Sequence, residues 1–282
     1  MKWPTATQAA IAAVLSLTVA FVLRRSRPTR LGDVVLPAST EFALVALLYS
    51  VWRVAKKLPL TQSEGAIERA RQIVRFQDFL HIPRELSLQH FALAHDQVGW
   101  LSTAYYAAAH VPATIIFLVW LFARHRDEYP HWRNALAILT GFCLFIRFVH
   151  VAPPRFVADL GYIDLSSVYG MSVYGPVGTG VSGQFVAMPS LHVAWAGVVT
   201  FGVIASSTSK WRYLIVLHLV ATLFVVAATG HHWWLDGIVA LGLLLAALKI
   251  DTVSRRIIES RRATPPAPRV LDQEVASATV VD

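Results

Sequence analysis

Long apolar segments without Asp, Glu, Lys or Arg are the feature that most constrains the fold of this chain. Five such segments are Trp3–Leu23, Val98–Phe122, Asn134–Ile146, Phe185–Ala205 and Tyr213–His232. A helix that crosses a bilayer needs roughly 20 mostly apolar residues. The chain of 282 residues is only 15% charged, whereas soluble domains are about 25% charged. We therefore predict an all-α fold, a polytopic helical bundle in a membrane.

The apolar segments and their flanks predict about six to seven transmembrane helices. The candidate spans are Trp3–Leu23, Val35–Val51, Val98–Phe122, Asn134–Ala152, a fifth from near Met188, and residues 213–230 and 235–249. Residues 64–90 differ from these spans, because charged and apolar side chains alternate there at helical spacing. Such a pattern predicts an amphipathic helix at the membrane surface or over the bundle.

The net charge of +8 does not indicate nucleic-acid binding, because the basic residues lie beside the ends of the spans. Segments 123–133, 206–212 and 249–262 are basic, and basic loops stay in the cytoplasm. Loop 153–184 and the turn at 230–236 then share the extracytoplasmic face. The N-terminal half conflicts with this rule, since a cytoplasmic Arg24–Arg30 loop puts Arg53 outside. Either residues 52–90 are re-entrant or the first two spans are miscounted.

Three polar clusters fall on that extracytoplasmic face. They are RFVHVAPPRF (147–156), MPSLH (188–192) and GHHWWLDG (230–237). Ionisable residues within a membrane bundle are usually functional. Arg147 and Arg155 come from the first cluster and supply positive charge. At the start of the fifth span, free backbone N–H groups and the Ser190 hydroxyl predict a seat for an anion.

The third cluster contains a pattern typical of nucleophilic catalysis. His232 and Asp236 are four residues apart and so share one helix face if the last span has begun by His232. A carboxylate bonded to one imidazole nitrogen fixes the tautomer and leaves the other nitrogen free to attack. His192 comes from another helix and would be the acid. Two histidines, an orienting Asp and two arginines predict phosphoryl transfer through a phosphohistidine. We interpret Trp233 and Trp234 as interfacial belt residues.

The order of these motifs resembles the type 2 phosphatidic acid phosphatase superfamily, and in particular its inositolphosphotransferase branch, which contains the inositol phosphorylceramide synthases. The resemblance covers roughly residues 85–250 and implies that the enzyme is independent of metals and other cofactors. It implies that His232 is the nucleophile, that Asp236 orients it and that His192 protonates the leaving oxygen. It also implies that the phosphate is bound by Arg147, Arg155 and Ser190.

Several positions depart from the phosphatase pattern. Its Arg-Pro pair is reversed here, as Pro154-Arg155, and its Pro-Ser-Gly-His has leucine at position 191. The arginine of its third motif falls on Val226. We assign His231 to phosphate binding, as a partial replacement for that positive charge. Together, the PPR, PSLH and HH-x3-D forms favour the inositolphosphotransferase branch.

The sequence thus predicts an integral, multi-pass protein of the plasma membrane that acts on a lipid phosphate at the extracytoplasmic face. Its partners are the bilayer and the lipid, with no nucleic acid and an oligomeric state left open. A headgroup pocket is expected from four further polar residues, Glu85, Gln89, Tyr106 and His110. We divide the chain into N-terminal spans (1–60), an interfacial region (61–97), a catalytic domain (98–250) and a basic, then disordered, cytoplasmic tail (251–282).

Three alternatives stay open at this stage. The protein could transfer the phosphoryl group to a polyol such as inositol, or it could release phosphate to water only. A metal-dependent hydrolase could use His192, His231, His232 and Asp236 as ligands. A transporter or flippase could use the arginines to hold a lipid phosphate at a gate, although no internal repeat is visible in the sequence.

Overall fold

The fold is built almost entirely of α-helices. The computed structural model describes residues 4–26, 29–55, 65–171 and 185–263. The helices are α1 (Ala6–Arg25), α2 (Arg30–Ala55), α3 (Ala66–Phe79), α4 (Leu86–Ala94), α5 (Asp96–Ala108), α6 (His110–Arg124), α7 (Tyr129–Ile146), α8 (Leu165–Val168), α9 (Leu191–Ser206), α10 (Val216–Ala228) and α11 (Trp234–Ala263). No strand forms within these ranges, where one isolated parallel bridge joins Val151 to Val186. The predicted all-α class is confirmed.

The long apolar helices make this a membrane protein. Within the described ranges, four helices are long and apolar enough to cross a bilayer, namely Ala6–Arg25, Arg30–Val54, Lys210–Ala228 and Trp234–Arg261. A fifth span results if α5 and α6 are counted together. The other two predicted spans correspond to α7 and α9, which have 18 and 16 residues and fall outside that set. The predicted end of the span at Asn134–Ala152 is wrong, because α7 stops at Ile146 and is followed by a turn over residues 147–149.

The predicted third span is broken rather than continuous. Its two halves, α5 and α6, meet at Ala109 with a bend of 52°. Pro112 explains the break, because a proline has no N–H to donate to the carbonyl of Ala108 and its ring crowds that carbonyl. The bend matters for the site, since the first residue of α6 is His110.

Helices α1 and α2 form an antiparallel hairpin, so the first two spans are counted correctly. The hydroxyl of Tyr49 near the end of α2 donates to the carbonyl of Pro4 at 3.0 Å, and Ser50 donates to Ala6 at 2.9 Å. Apart from α7, few parts of the fold touch this hairpin. Where they meet, Arg133 of α7 donates to the Glu41 carboxylate.

Helix α9 lies at the centre of the bundle and contacts α6, α7, α10 and α11. Small residues allow this close approach, as is typical of helix pairs in membranes. A side chain at Gly202 would lie 2.2 Å from Phe117 of α6, and one at Gly197 would lie 2.9 Å from Leu241 of α11. The largest apolar core of the described residues surrounds α9. This packing fixes the position of the helix that carries His192.

The two ends of the bundle differ in chemistry. At one end Asp251 of α11 accepts hydrogen bonds from Asn134 at 2.7 Å and from Arg255 at 2.8 Å, and it lies 2.6 Å from the His131 ring. We call the other end, where α7 and α10 stop and α9 and α11 begin, the site end. Helices α3 and α4 pack there. The predicted cytoplasmic tail lies largely outside the described residues, which end at 263, as does the loop over 172–184.

Helix α3 agrees with the predicted amphipathic helix in residues 64–90. Its buried positions are Ala66, Ala70, Ile73, Val74 and Gln77, which share one face. Phe76 and Phe79 on the opposite side are exposed. One face therefore packs over the bundle while aromatic side chains remain outside. Gln77 is the unexpected member, because it is a polar side chain on the buried face.

Candidate active site

His232 lies in the short turn between α10 and α11, where its Nδ1 atom has two acceptors. The carbonyl oxygen of Ala187 is 2.7 Å away, and the Oδ2 atom of Asp236 is 3.3 Å away. A backbone carbonyl only accepts hydrogen bonds. Nδ1 therefore carries the proton, and Nε2 of the neutral ring keeps its lone pair. This is the tautomer that a histidine nucleophile needs.

Asp236 connects the turn to two helices. Its carboxylate is fully buried, and Oδ2 also accepts the backbone N–H of Trp233 at 2.9 Å. Its backbone carbonyl accepts the N–H of Ser190 at 3.2 Å. The first residues of α9 and α11 are thereby held together. The predicted pairing of His232 with Asp236 is present, although the carbonyl of Ala187 is the nearer partner of the ring.

The turn itself depends on Gly230. This residue has a φ of +73°, and an added Cβ would lie 2.8 Å from the carbonyl oxygen of Ile163. Its carbonyl accepts the N–H of Arg155 at 3.0 Å, while the N–H groups of His231 and His232 both donate to Val226. Hydrogen bonds to Arg155 and to Val226 therefore fix the backbone of the turn before α11.

His192 enters the site from the first turn of α9. The Ser190 hydroxyl caps this helix by accepting the N–H of Val193 at 3.4 Å. The centre of the His192 ring is 5.7 Å from that of His232, and the two rings are tilted by 61°. A phosphate between the rings would have His232 on one side and His192, the predicted acid, on the other. The hydroxyl of Ser190 still has its proton to donate to such a group.

Tyr106 and His110 lie behind the rings of His192 and His231. Tyr106 stacks on His231 with ring centres 4.0 Å apart and approaches His192 at 4.3 Å. His110 meets His192 edge-on at 3.8 Å. Both residues were predicted for a headgroup pocket, and they are buried against the histidines. They therefore support the rings of His192 and His231 directly.

His231 is buried and does not supply the positive charge we expected of it. Only 2% of the residue is exposed. Burial, and then the neighbouring charge of Arg155, lower the pKa of His231 well below its ordinary value. The ring is therefore neutral near pH 7, and the missing arginine of the third motif has no cationic substitute at this position. A role of the neutral ring in phosphate binding stays a prediction.

The two predicted phosphate-binding arginines are buried at the site end. Arg147 caps the end of α7, and Arg155 lies in a short 3-10 turn, Pro154–Phe156. The Nε atom of Arg155 is 3.6 Å from a carboxylate oxygen of Asp164. Asp164 was missed in the sequence, where nothing distinguishes it from other loop residues. It neutralises part of the Arg155 charge and orients the guanidinium.

Glu85 and Gln89 lie in a buried hydrogen-bond network beside the site. Gln89 donates to the carbonyls of Ile163 at 2.9 Å and Ala228 at 3.2 Å, and it accepts the N–H of Ile163 at 2.8 Å. Glu85 accepts the backbone N–H of Trp234 at 2.6 Å. Burial raises the pKa of the Glu85 carboxyl, and its hydrogen bonds partly oppose this effect. Both side chains are thus joined to protein groups, and their assignment to a headgroup pocket stays a prediction.

The interpretation of the tryptophan pair as an interfacial belt is wrong for Trp233. Only 1% of this residue is exposed, and its indole N–H donates to the carbonyl of Ala152 at 2.9 Å. Trp234 is half-buried, and its indole donates to Pro83 at 2.8 Å. An indole with a protein acceptor can be buried at little cost. The pair attaches the start of α11 to its neighbours.

A metal site is not apparent among the residues that the structure describes. Within them, no group of three or more His, Cys, Asp or Glu side chains has the arrangement of metal ligands. His231 stacks on Tyr106, and Nδ1 of His232 is occupied by Ala187. Among the described residues, the alternative of a metal-dependent hydrolase is therefore not supported by any cluster of metal ligands.

Comparison with known families gives a match over most of the helical bundle. Residues 71–250 match the model of the PAP2 superfamily. The matched region begins in α3 and ends in α11, and it contains every residue of the candidate site. No curated protein and no solved structure shows a significant match to the chain.

Proposed function

Because the chain belongs to the PAP2 superfamily, whose members include phosphatase-type lipid phosphoesterases, we propose that it attacks a lipid phosphate with His232 and forms a phosphohistidine. The observation that carries this proposal is the contact between Nδ1 of His232 and the carbonyl of Ala187 at 2.7 Å. It leaves Nε2 as the only ring nitrogen that can attack phosphorus.

The first chemical step forms a P–N bond and breaks a P–O bond. Nε2 of His232 attacks phosphorus, and the bond to the lipid oxygen breaks. His192 gives its proton to that oxygen, so that the lipid leaves as an alcohol. Arg147, Arg155, the Ser190 hydroxyl and the first N–H groups of α9 balance the charge on the phosphoryl oxygens.

The second step returns the enzyme to its starting state. An acceptor hydroxyl attacks the phosphohistidine, the P–N bond breaks, and His192 takes the acceptor's proton. If the acceptor is water, the product is free phosphate and the enzyme is a phosphatase. If it is a polyol such as inositol, the enzyme is a phosphotransferase. We propose the transferase on the PPR, PSLH and HH-x3-D motifs, with phosphatase activity as the alternative.

We further propose that the site end faces the extracytoplasmic side of the plasma membrane. The basic segments 123–133 and 249–262 support this orientation, because positively charged loops are retained in the cytoplasm. Their helices, α7 and α11, join the opposite end to the site end. A cysteine placed at exposed Ser87 on α4 should react with an impermeant thiol reagent added to intact cells. Labelling only after permeabilisation would reverse the orientation.

The decisive experiment traps the covalent intermediate. Purified protein is mixed with 32P-labelled lipid phosphate, quenched, and mapped by mass spectrometry. We expect an acid-labile, alkali-stable label on His232, no label on His232→Ala, and normal labelling of the control His90→Ala, which changes an exposed histidine on α4. Label on another residue would overturn the site. Lipid binding or transport without any label would favour the transporter alternative.

A second experiment distinguishes transfer of the phosphoryl group to water from transfer to inositol. The labelled lipid phosphate is supplied with and without inositol, and the products are resolved by chromatography. A labelled inositol phosphate supports the transferase. Free phosphate alone in both reactions supports the phosphatase and rejects transfer to inositol.

A further inference from the structure

The first turn of α11 is capped by side chains from a distant part of the chain. A helix begins with backbone N–H groups that have no partner within the helix. Here the N–H of Trp234 donates to Glu85 at 2.6 Å, and the N–H of Leu235 donates to Gln77 at 3.0 Å. Glu85, at the start of α4, precedes Trp234 by 149 positions in the sequence. Gln77, on α3, precedes Leu235 by 158 positions.

The two capping side chains are also joined to each other. The Gln77 amide donates to Oε1 of Glu85 at 3.0 Å, and the Tyr162 hydroxyl donates to Oε2 at 3.2 Å. Glu85 is fully buried and Gln77 is 1% exposed. A buried polar network that is fully bonded is rigid, and losing one member leaves the others without partners. The network therefore fixes the start of α11 relative to α3.

This capped turn contains the residues of the proposed mechanism. Asp236 follows Trp234 and Leu235 directly, and its carboxylate faces His232 at 3.3 Å. Asp236 itself accepts the N–H of Trp233. The N–H groups of three successive residues thus have side-chain acceptors, of which only one belongs to α11. A shift of this turn would move Asp236 away from the His232 ring.

We propose that Glu85 and Gln77 are positioning residues that hold the first turn of α11, and through it Asp236 and His232, in the geometry required for attack. This inference rests on the proposed function of His232. It also gives a function to α3 and α4 beyond contact with the membrane surface. The carboxyl oxygens of Glu85 suit the site because they accept hydrogen bonds, and the N-terminus of a helix offers N–H groups that have no partner within the helix.

The test compares isosteric variants that keep or remove the acceptor. Glu85→Met and Gln77→Met remove it, whereas Glu85→Gln keeps a carbonyl oxygen for the N–H of Trp234. Glu68→Gln on the exposed side of α3 is the matched control, since 54% of its side chain is exposed. We expect both Met variants to lose about 10- to 100-fold in kcat with KM nearly unchanged. Glu85→Gln should stay within about threefold of wild type.

Hydrogen–deuterium exchange tests the structural part without relying on activity. In both Met variants, amides in the peptide covering residues 230–240 should exchange about two- to tenfold faster, as expected for one lost hydrogen bond. Exchange at the far end of α11, around Asp251, should not change. Unchanged exchange in residues 230–240 would overturn the proposal even if the protein had no phosphotransfer activity.

A double-mutant cycle tests the connection to catalysis. If Glu85 acts through Asp236, then Glu85→Met should reduce kcat much less in an Asp236→Asn background than in the wild type. Full additivity of the two effects, in a wild-type enzyme that forms the phosphohistidine, would overturn the positioning role. Failure of the proposed function itself is recognised separately, because the wild type would then carry no label on His232.

Discussion

The Nδ1 atom of His232 lies closer to the carbonyl oxygen of Ala187, at 2.7 Å, than to the carboxylate of Asp236, at 3.3 Å. Ala187 precedes α9, whereas Asp236 belongs to the first turn of α11. The His232 ring is therefore held between the segment that leads into α9, the helix of the proposed acid, and the start of α11. The tautomer of His232 is therefore fixed by a backbone group. Asp236 contributes orientation and charge, and the two contributions can be separated by mutation.

Asp236→Asn should retain part of the activity. The carbonyl of Ala187 still accepts from Nδ1, while the negative charge that favours the developing imidazolium is lost. We expect kcat to fall about 10- to 100-fold, and His232→Ala to fall at least about 1000-fold. Phosphate release by purified variants measures this. Equal losses in the two variants would mean that Asp236, and not Ala187, fixes the tautomer.

The sequence predicted the contact between His232 and Asp236 better than the surroundings of that pair. Motif spacing paired His232 with Asp236 by treating both as helical, and their contact at 3.3 Å is present. His232 nevertheless lies before the first residue of α11, so the turn, and not helical spacing, brings the two side chains together. The acceptor at Ala187 could not be predicted, since every residue has a backbone carbonyl and only the fold selects one. The ion pair of Arg155 with Asp164 is likewise a matter of tertiary contact.

The helical boundaries show a similar division. Apolar segments predicted most helices, but the prediction treated Pro112 as part of one continuous span and so missed the break between α5 and α6. The exposed Phe79 and buried Gln77 both fit the periodicity of α3. Only the fold shows that Gln77 faces the first turn of α11. The signal available in the sequence was a glutamine, Gln77, at helical spacing from the apolar residues Ile73 and Val74. It was overlooked.

Tyr106→Ala should destabilise the protein and reduce catalysis together. The ring lies between His192 and His231, at 4.3 and 4.0 Å, and is 2% exposed. Removing a buried aromatic side chain costs about 3–5 kcal/mol. Thermal unfolding in detergent, together with kcat per folded enzyme, checks both effects. Trp100→Ala on an exposed side of the same helix is the control and should change neither by much.

Gly230→Ala should be more harmful than Gly170→Ala. Both glycines have positive φ, at +73° and +64°, but among the residues that the structure describes only Gly230 of the two is crowded, with Ile163 and Gln89 within 2.9 Å of an added Cβ. The unfavourable φ costs about 1 kcal/mol in each variant. The collision adds to this at Gly230 and displaces the turn that carries His232. We expect loss of activity for Gly230→Ala and near-normal activity for Gly170→Ala. Similar behaviour of the two variants would argue against a turn fixed by close contact.

His231 should make the protein less stable as the pH falls below about 6.5. Burial lowers the pKa of this ring in the folded state well below its ordinary value, whereas in the unfolded chain the pKa stays near 6.5. As the pH falls through 6.5, the unfolded state therefore binds a proton that the folded state excludes. The stability due to the neutral ring is full above 6.5 and declines below it, by at most about 1.4 kcal/mol per pH unit.

Unfolding temperatures between pH 8 and pH 5 measure this effect. His231→Phe keeps a ring that can stack on Tyr106 but cannot bind a proton, so its melting temperature should fall less than that of the wild type across this range. His90→Gln changes an exposed histidine and should follow the wild-type curve. If His231→Phe retained the full pH dependence, another group would be responsible, and a charged His231 near the phosphate site would again be a reasonable hypothesis.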